Sequence, residues 1–591
     1  MNDLREHAFA LHQRGALAEA EQVYRAALDR QPDDLQTLVM FGVLAAQSRK
    51  LEQAAYLFER AISIDQYAST AHNNLGIVLT DLRRYQDAVT SFGRAIALAP
   101  DYADAYSNRG VALGHMQCFR QALADYDQAI ALQPHTASTY NNRASVLCQV
   151  GRALEALQSY DQAIELQPTF ALAHLNRADL LLRLSRPGEA LASCNQAIAL
   201  GFDSAHAHVN RGIALKDLSL FDEAIASFGR AIALDPNDLA APYNRGRIFM
   251  HRCRFAEALA DFDSCIALQP DHAEANNAKA MCLLLLGHFE QGWRLHEWRN
   301  RRGPAFPARI VHLPRPLWLG EHSLAGKSLF IHWEQGFGDT IQFCRYARLA
   351  QQLGARVLLE VQPVLRRLLR TLSPAVEIVA DLELAAGADY HCPLLSLPMA
   401  FRTNIDTIPA DVPYLAAEPD RVAHWRHRLG AGGYRIGICW QGSTGLVDAG
   451  RSFPLAMFRP LAAIPGVRLI SLQTHCGTEQ LQALPPAMTV ETLGADFDLG
   501  PDAFIERAAV MQHLHLVITC DTAVAHLAGA LARPTWVVLK RTPDWRWLLE
   551  RDDSPWYPTH RLFRQRSTGD WHGVFADIHS ELRNQLKLAD S

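Results

Sequence analysis

The chain has 591 residues, of which 49% are hydrophobic and 20% charged, and its formal net charge is −5. That length exceeds what one hydrophobic core serves and predicts two to four domains. The mild negative charge excludes a general attraction to nucleic acid or to an anionic membrane.

The opening MNDLREHAFALHQRG carries acidic residues and no apolar segment, so it does not read as a secretory leader. Apolar runs such as MCLLLL (281–286) are far shorter than the ~20 residues of a membrane helix. Eleven cysteines occur without a CxxC pair. Cys194 and Cys265 stand where neighbouring repeats carry core residues, which predicts buried thiols rather than disulfides or metal ligands. A cytoplasmic protein is expected.

The first half repeats itself. Pro32, Pro100, Pro134, Pro168, Pro236 and Pro270 are separated by 34 residues or multiples of 34, with Gln66 and Phe202 in the two remaining slots. On that period Gly42, Gly76, Gly110, Ala144, Ala178, Gly212 and Gly246 share a position, as do Ala54, Ala88, Ala122, Ala156, Ala190, Ala224 and Ala258. An aromatic follows most of these alanines by four residues: Phe58, Phe92, Tyr126, Tyr160, Phe228 and Phe262. Small residues let two helices approach and the ring fills the gap. The pattern resembles the tetratricopeptide repeat, with eight units over 1–272 and a degenerate ninth over 273–300. Stacking such units implies an α-helical superhelix with a concave groove.

One ladder does not serve the core. Asn74, Asn108, Asn142, Asn176, Asn210 and Asn244 recur on the first helix of successive units, and Arg109, Arg143, Arg177, Arg211 and Arg245 follow in the next slot. A primary amide donates and accepts, so a row of them can hold an extended polypeptide by its backbone. The alternative is that each asparagine stabilises the repeat itself. The layout is similar to that of the protein O-GlcNAc transferases, which carry an asparagine ladder ahead of a glycosyltransferase domain.

Residues 301–326, rich in proline and arginine, read as a connector. Beyond it, strands are expected at 328–333, 355–361, 376–380, 435–440, 467–473, 515–520 and 535–539, with helical stretches between, which predicts parallel sheets. A break near 410–434 divides this region into a first α/β half, 327–430, and a second, 431–591. The resulting expectation is an α + α/β protein, 1–300 being the repeats.

Three turns at strand ends carry candidate chemistry. HWEQGFGDTIQF (332–343) holds His332, Gly338 and Asp339 at a strand-to-helix turn. Gln342, Arg345 and Tyr346 follow, on a helix that lines a cleft or faces the sheet. In WQGSTGLVDAGRS (440–452), Ser443 and Thr444 form a hydroxyl- and glycine-rich loop, and Arg451 is placed to neutralise a leaving diphosphate; a solvated loop arginine is the plainer alternative. Gln473 and Glu479, after the next strand, are candidates for ribose or base, with ordinary surface residues the alternative. In ITCDTAVAHLAG (518–529), Asp521 and Thr522 precede a helix whose first N–H groups, with Ala523, suit a diphosphate. His526 lies one turn on; capping by Asp521 or Thr522 and a core role for His526 is the competing account. Asp496-Phe497-Asp498 has the spacing of a metal-binding DxD but reads as loop acidity, and no metal or cofactor is expected. The tryptophan-rich tail 543–571 reads as a cleft wall or, more plainly, as packing of a last strand and a closing helix.

This half resembles the lipopolysaccharide heptosyltransferase family, and bacterial repeat-plus-glycosyltransferase proteins related to it, over roughly 326–580. The match rests on Gly338-Asp339 and on Asp521-Thr522-Ala523 with His526, where the family usually has glycine in place of Ala523. The resemblance implies a GT-B pair of Rossmann-like domains, an inverting transfer from a nucleotide sugar, and Asp339 as general base, with His332 a second candidate. The asparagine ladder and the layout similar to protein O-GlcNAc transferases imply a polypeptide acceptor in the repeat groove. Two alternatives are a repeat scaffold with an inactive transferase domain, and a transferase acting on a glycolipid or lipopolysaccharide. Oligomer formation is compatible with either.

Overall fold

The computed structural model describes residues 2–301, 313, 315–380, 387–442, 450–494, 497–500 and 502–587. Ser443, Thr444 and Asp496 lie outside them. The chain divides into two compact units, Met1–Asn244 and Arg245–Ser591.

The first unit is helical. Paired antiparallel helices follow one another from Asn2–Gln13 and Leu17–Arg30 to Ala205–Asp217 and Phe221–Leu234, each pair packing on the next. The repeated glycines are close-approach positions. A methyl group on Gly42, Gly76, Gly110 or Gly212 would lie 2.6–2.8 Å from the ring of Phe58, Phe92, Tyr126 or Phe228. Where the small slot holds Ala178, the ring slot holds the buried Cys194, so the gap is filled from the other side.

Each pair turns through a left-handed residue. Arg49, Arg83, Gln117, Ser185 and Ser219 all have φ between 57° and 63°, at 34-residue intervals, and Gly151 fills the same slot with φ 76°. The arginine ladder proves to be a row of staples inside the repeats. Arg109 grips Asp125 through two 2.7 Å bonds. Arg143 reaches Ser159 and Arg177 reaches Ser193, each 16 residues on, and the same two arginines reach Asp127 and Asp161, each 16 residues back.

The second unit begins within the Ala240–His251 helix and includes the helices Phe255–Leu268, Ala273–Leu285 and Phe289–His296. These are followed by two all-parallel sheets. The first has the order β3-β2-β1-β4, from β1 (Ser328–His332), β2 (Arg356–Glu360), β3 (Val376–Val379) and β4 (Tyr390–Pro393). The second has the order β6-β5-β7-β8-β9, from β5 (Tyr434–Cys439), β6 (Val467–Ser471), β7 (Leu516–Cys520), β8 (Thr535–Leu539) and β9 (His560–Arg564).

The seven expected strands are present, and β4 and β9 join them. Both added strands lie at sheet edges, β4 with the one-residue bridge of Leu317 beyond it among the described residues. Their sequences, YHCP and HRLFR, lack the apolar run of a central parallel strand.

Side chains from both sheets meet in one continuous core. Leu329, Ile331, Ile341, Phe343 and Leu359 belong to the same buried cluster as Val517, Val524, Val537, Trp545 and Trp556. The last repeat helix is part of it too: Trp293 is buried there, its indole N–H donating to the Thr403 carbonyl at 2.8 Å. The Trp571–Gln585 helix covers the opposite face of the second sheet through Val574, Phe575 and Ile578.

Candidate functional site

In each sheet the strand order reverses once: beside β1, between β1 and β4, and beside β5, between β5 and β7. Ligands of open parallel sheets bind at such switch points, beyond the carboxyl ends of the strands. The first turn follows β1, and the second and third follow β5 and β7.

After β1 the chain is pinned by Glu334, which is buried and takes two bonds of 3.0 Å from Arg299 and one of 2.9 Å from the Leu395 N–H. Gly336 then caps the helix Phe337–Phe343. Asp339, in the first turn of that helix, accepts the Gly336 N–H at 2.9 Å through one oxygen and Arg546 through the other. Arg546 comes from the tail and had no sequence signal as a site residue. Its guanidinium is buried and donates once from each nitrogen: to Asp339, to Asp544 at 2.8 Å and to the Gln342 side-chain carbonyl at 2.7 Å, while it stacks on Trp545. Burial pushes the Asp339 carboxyl above its usual range, against the pull of Arg546.

The third turn lies against the first. A methyl group at Gly338 would meet His526 at 2.8 Å and the Ala523 Cα at 3.5 Å, so only glycine lets these two helix starts come together. Thr522 caps the Ala523–Ala530 helix, its hydroxyl accepting from the Val524 N–H at 3.3 Å. Asp521 is pushed up to about 6 by burial and by the negative charge of Asp544, with the Trp547 indole, Arg546 and Arg451 drawing it back. Arg451 approaches from the second turn, its guanidinium packed over Gly442. One constellation therefore gathers Gly338, Asp339, Arg451, Asp521, Thr522, Ala523 and His526, together with Asp544 and Arg546.

Other expected residues have different work. His526 is buried under Gly338, shares a 3.0 Å bond with the Tyr557 hydroxyl and stacks on Trp547. Burial holds its pKa well below the usual value, so it is a neutral imidazole. Gln473 is spent on backbone. Its carbonyl accepts from Trp440 and Gln441 N–H groups, and its amide donates to the Gln441 and Cys476 carbonyls. It braces the end of β5. His332 stacks on His391 and shares a 3.4 Å contact with it. Arg345 and Tyr346 are buried, bonded to Tyr414 and Thr403 respectively. Asp498 is buried against Arg507 at 2.8 Å. Among the described residues no group of three or more His, Cys, Asp or Glu is arranged to hold a metal ion.

In the first unit the asparagines link repeat to repeat. Asn108 donates to Asn73 at 3.1 Å and Asn176 to Asn141 at 2.9 Å, each 35 residues back. Asn142 accepts from Asn141, Asn210 donates to Asp179, and Asn244 donates to the Ala240 carbonyl. Asn74 has no hydrogen bond among the described residues. No helix among them is long and apolar enough to cross a membrane.

Models of the tetratricopeptide repeat match residues 10–69, 103–136, 141–205 and 209–267, and a TPR repeat model matches 78–117. The N-terminal region is a tetratricopeptide array. Protein FlbA of Caulobacter vibrioides is 28% identical over 338 residues, 53% of this chain and 56% of FlbA, so the match spans little more than half of that relative. Among solved structures, YrrB, described as a TPR protein with an unusual peptide-binding site, is 27% identical. It covers 32% of this chain and 98% of its own, with a TM-score of 0.30. MamA is 23% identical, covering 27% and 94%, with a TM-score of 0.26.

Proposed function

We propose that the chain is an inverting glycosyltransferase that takes a sugar from a nucleotide donor and adds it to a polypeptide held by the tetratricopeptide array, its two parallel sheets forming a GT-B pair. The observation that carries this reading is the meeting of Asp339, from one switch point, with Arg451, Asp521 and Thr522 from the other. Inverting transfer needs a carboxylate to take the acceptor's proton and a cationic, N–H-rich pocket to steady the departing diphosphate. Asp339 supplies the first. Arg451 and the start of the Ala523–Ala530 helix supply the second, with no metal required. Polypeptide as acceptor is favoured by the asparagine row, whose side-chain carbonyls at Asn108 and Asn176 accept no hydrogen bond among the described residues.

The test is nucleotide release from a panel of UDP-, GDP- and ADP-sugars, with and without a polypeptide acceptor. Release with one donor is expected, and Asp339→Asn should cut transfer by about 10²–10⁴-fold. A second reading, an interaction scaffold with an inactive α/β unit, is favoured by the engagement of Asp339 with Arg546. Absence of release with every donor, and of any thermal shift with free nucleotides, would establish that reading instead.

A further inference from the structure

Arg546 sits at the centre of the constellation, and three of its five N–H groups have acceptors among the described residues. Asp339 and Asp544 both hold it, Gln342 takes a third N–H, and Asp521 is close enough to feel its charge. Three carboxylates thus face two cations, Arg546 and Arg451. A guanidinium presents a planar fork suited to two phosphate oxygens, and those offer more negative charge than one carboxylate. A second observation points to a missing acceptor. The Gln342 amide nitrogen, on the residue that bonds Arg546, is fully buried and has no hydrogen-bond partner, a state that normally costs about 1–3 kcal/mol.

A general base cannot work well while an arginine holds it. Resting on the transferase reading, we propose that Arg546 is a diphosphate ligand, and that donor binding draws it off Asp339 onto the phosphate oxygens. Asp544 keeps the guanidinium oriented during the exchange, and the Gln342 amide gains the acceptor it lacks. Asp339 keeps its bond from the Gly336 N–H and is left with one free oxygen, facing the acceptor hydroxyl. Donor therefore binds first, and the base becomes competent only when the donor is in place.

The exchange has a signature that a purely structural salt bridge lacks. If phosphate and Asp339 compete for Arg546, removing the charge of Asp339 must tighten phosphate binding. Inorganic pyrophosphate binding to the full chain, measured by titration calorimetry without metal, reads this directly. Arg546→Gln is expected to weaken binding by about tenfold or more, with Arg546→Lys between it and wild type. Asp339→Asn is expected to tighten it by about fivefold or more. If Arg546→Gln does not fold, the Asp339→Asn arm alone decides, since asparagine still accepts the Gly336 N–H.

Unchanged or weakened affinity in Asp339→Asn overturns the proposal, as does a wild-type protein that does not bind pyrophosphate. The sugar-nucleotide panel separates the two claims. Tightening in Asp339→Asn without turnover of any donor keeps the diphosphate ligand and removes the transferase. Turnover without tightening removes the exchange and leaves the transferase.

Discussion

Asp521 stands at the end of β7 with a second carboxylate, Asp544, as a neighbour, and its carboxyl is held up to about 6. In the unfolded chain it titrates near the ordinary value of 3.8. Between those two values the folded state keeps a proton that the unfolded state has lost. Asp521 therefore adds stability at low pH, and this is lost as pH rises through 6. Asp521→Asn should stabilise the protein at pH 7.5 by about 1–2 kcal/mol after allowance for screening, with the gap closing as pH falls to 4. Urea melts at the two pH values read this, and an equal gap at both would refute it.

The reading of individual residues from sequence divides along the same physical line. The place of Asp339 at a strand-to-helix turn was legible because a glycine-flanked acid there is a local pattern. Arg546 was not, since it lies 207 residues further on and only the folded chain selects its partner. Gln473 and His526 stood out as candidates because they follow strand ends, whereas their partners come from elsewhere in the fold. Sequence carries no sign that backbone and a tyrosine already occupy them.

At the scale of the helix pair, the repeat period makes neighbouring positions into controlled comparisons. Arg109 faces Asp125, whose side chain is 9% exposed, while Arg143 faces Asp127, 58% exposed. Arg109→Gln leaves a nearly buried carboxylate unpaired and should cost about 2–3 kcal/mol, against less than about 1 kcal/mol for Arg143→Gln. Chemical denaturation of the two variants tests the difference.

The left-handed turn slot gives a prediction of opposite sign. Gln117 and Ser219 hold φ near +60° with a side chain that resists it. Gln117→Gly and Ser219→Gly should each raise stability by about 0.5–1 kcal/mol. Glycine at the exposed helical position Gln121 should lower it by about 1 kcal/mol, and thermal melts of all three variants make the comparison. The 34-residue period was plain in the sequence because so many positions repeat together. The edge strands β4 and β9 were not, because a strand with one open side need not be apolar throughout.

For the whole molecule, the proline- and arginine-rich run after residue 300 reads as a border, but the packing is not divided there. Trp293 and Arg299 reach into the sheet unit, and Arg299 is the countercharge of the buried Glu334. A fragment starting at Arg245 should fold cooperatively. One starting at Lys327 leaves Glu334 without its arginine and exposes the surface that Trp293 covered. It should be insoluble or lose its cooperative transition, which expression and a thermal melt would show. Punctuation in a sequence marks where the chain is irregular, whereas a domain ends where burial ends.

Several contacts of the helical array recur at fixed separations: 16 residues between Arg109 and Asp125 or Arg143 and Ser159, 35 between Asn73 and Asn108 or Asn141 and Asn176. A segment of one full period can therefore be duplicated or excised inside the array and the contacts that keep these separations find equivalent partners. A change of any other length breaks all of those it spans. In evolution such an array gains or loses length most readily in whole quanta of 34 residues.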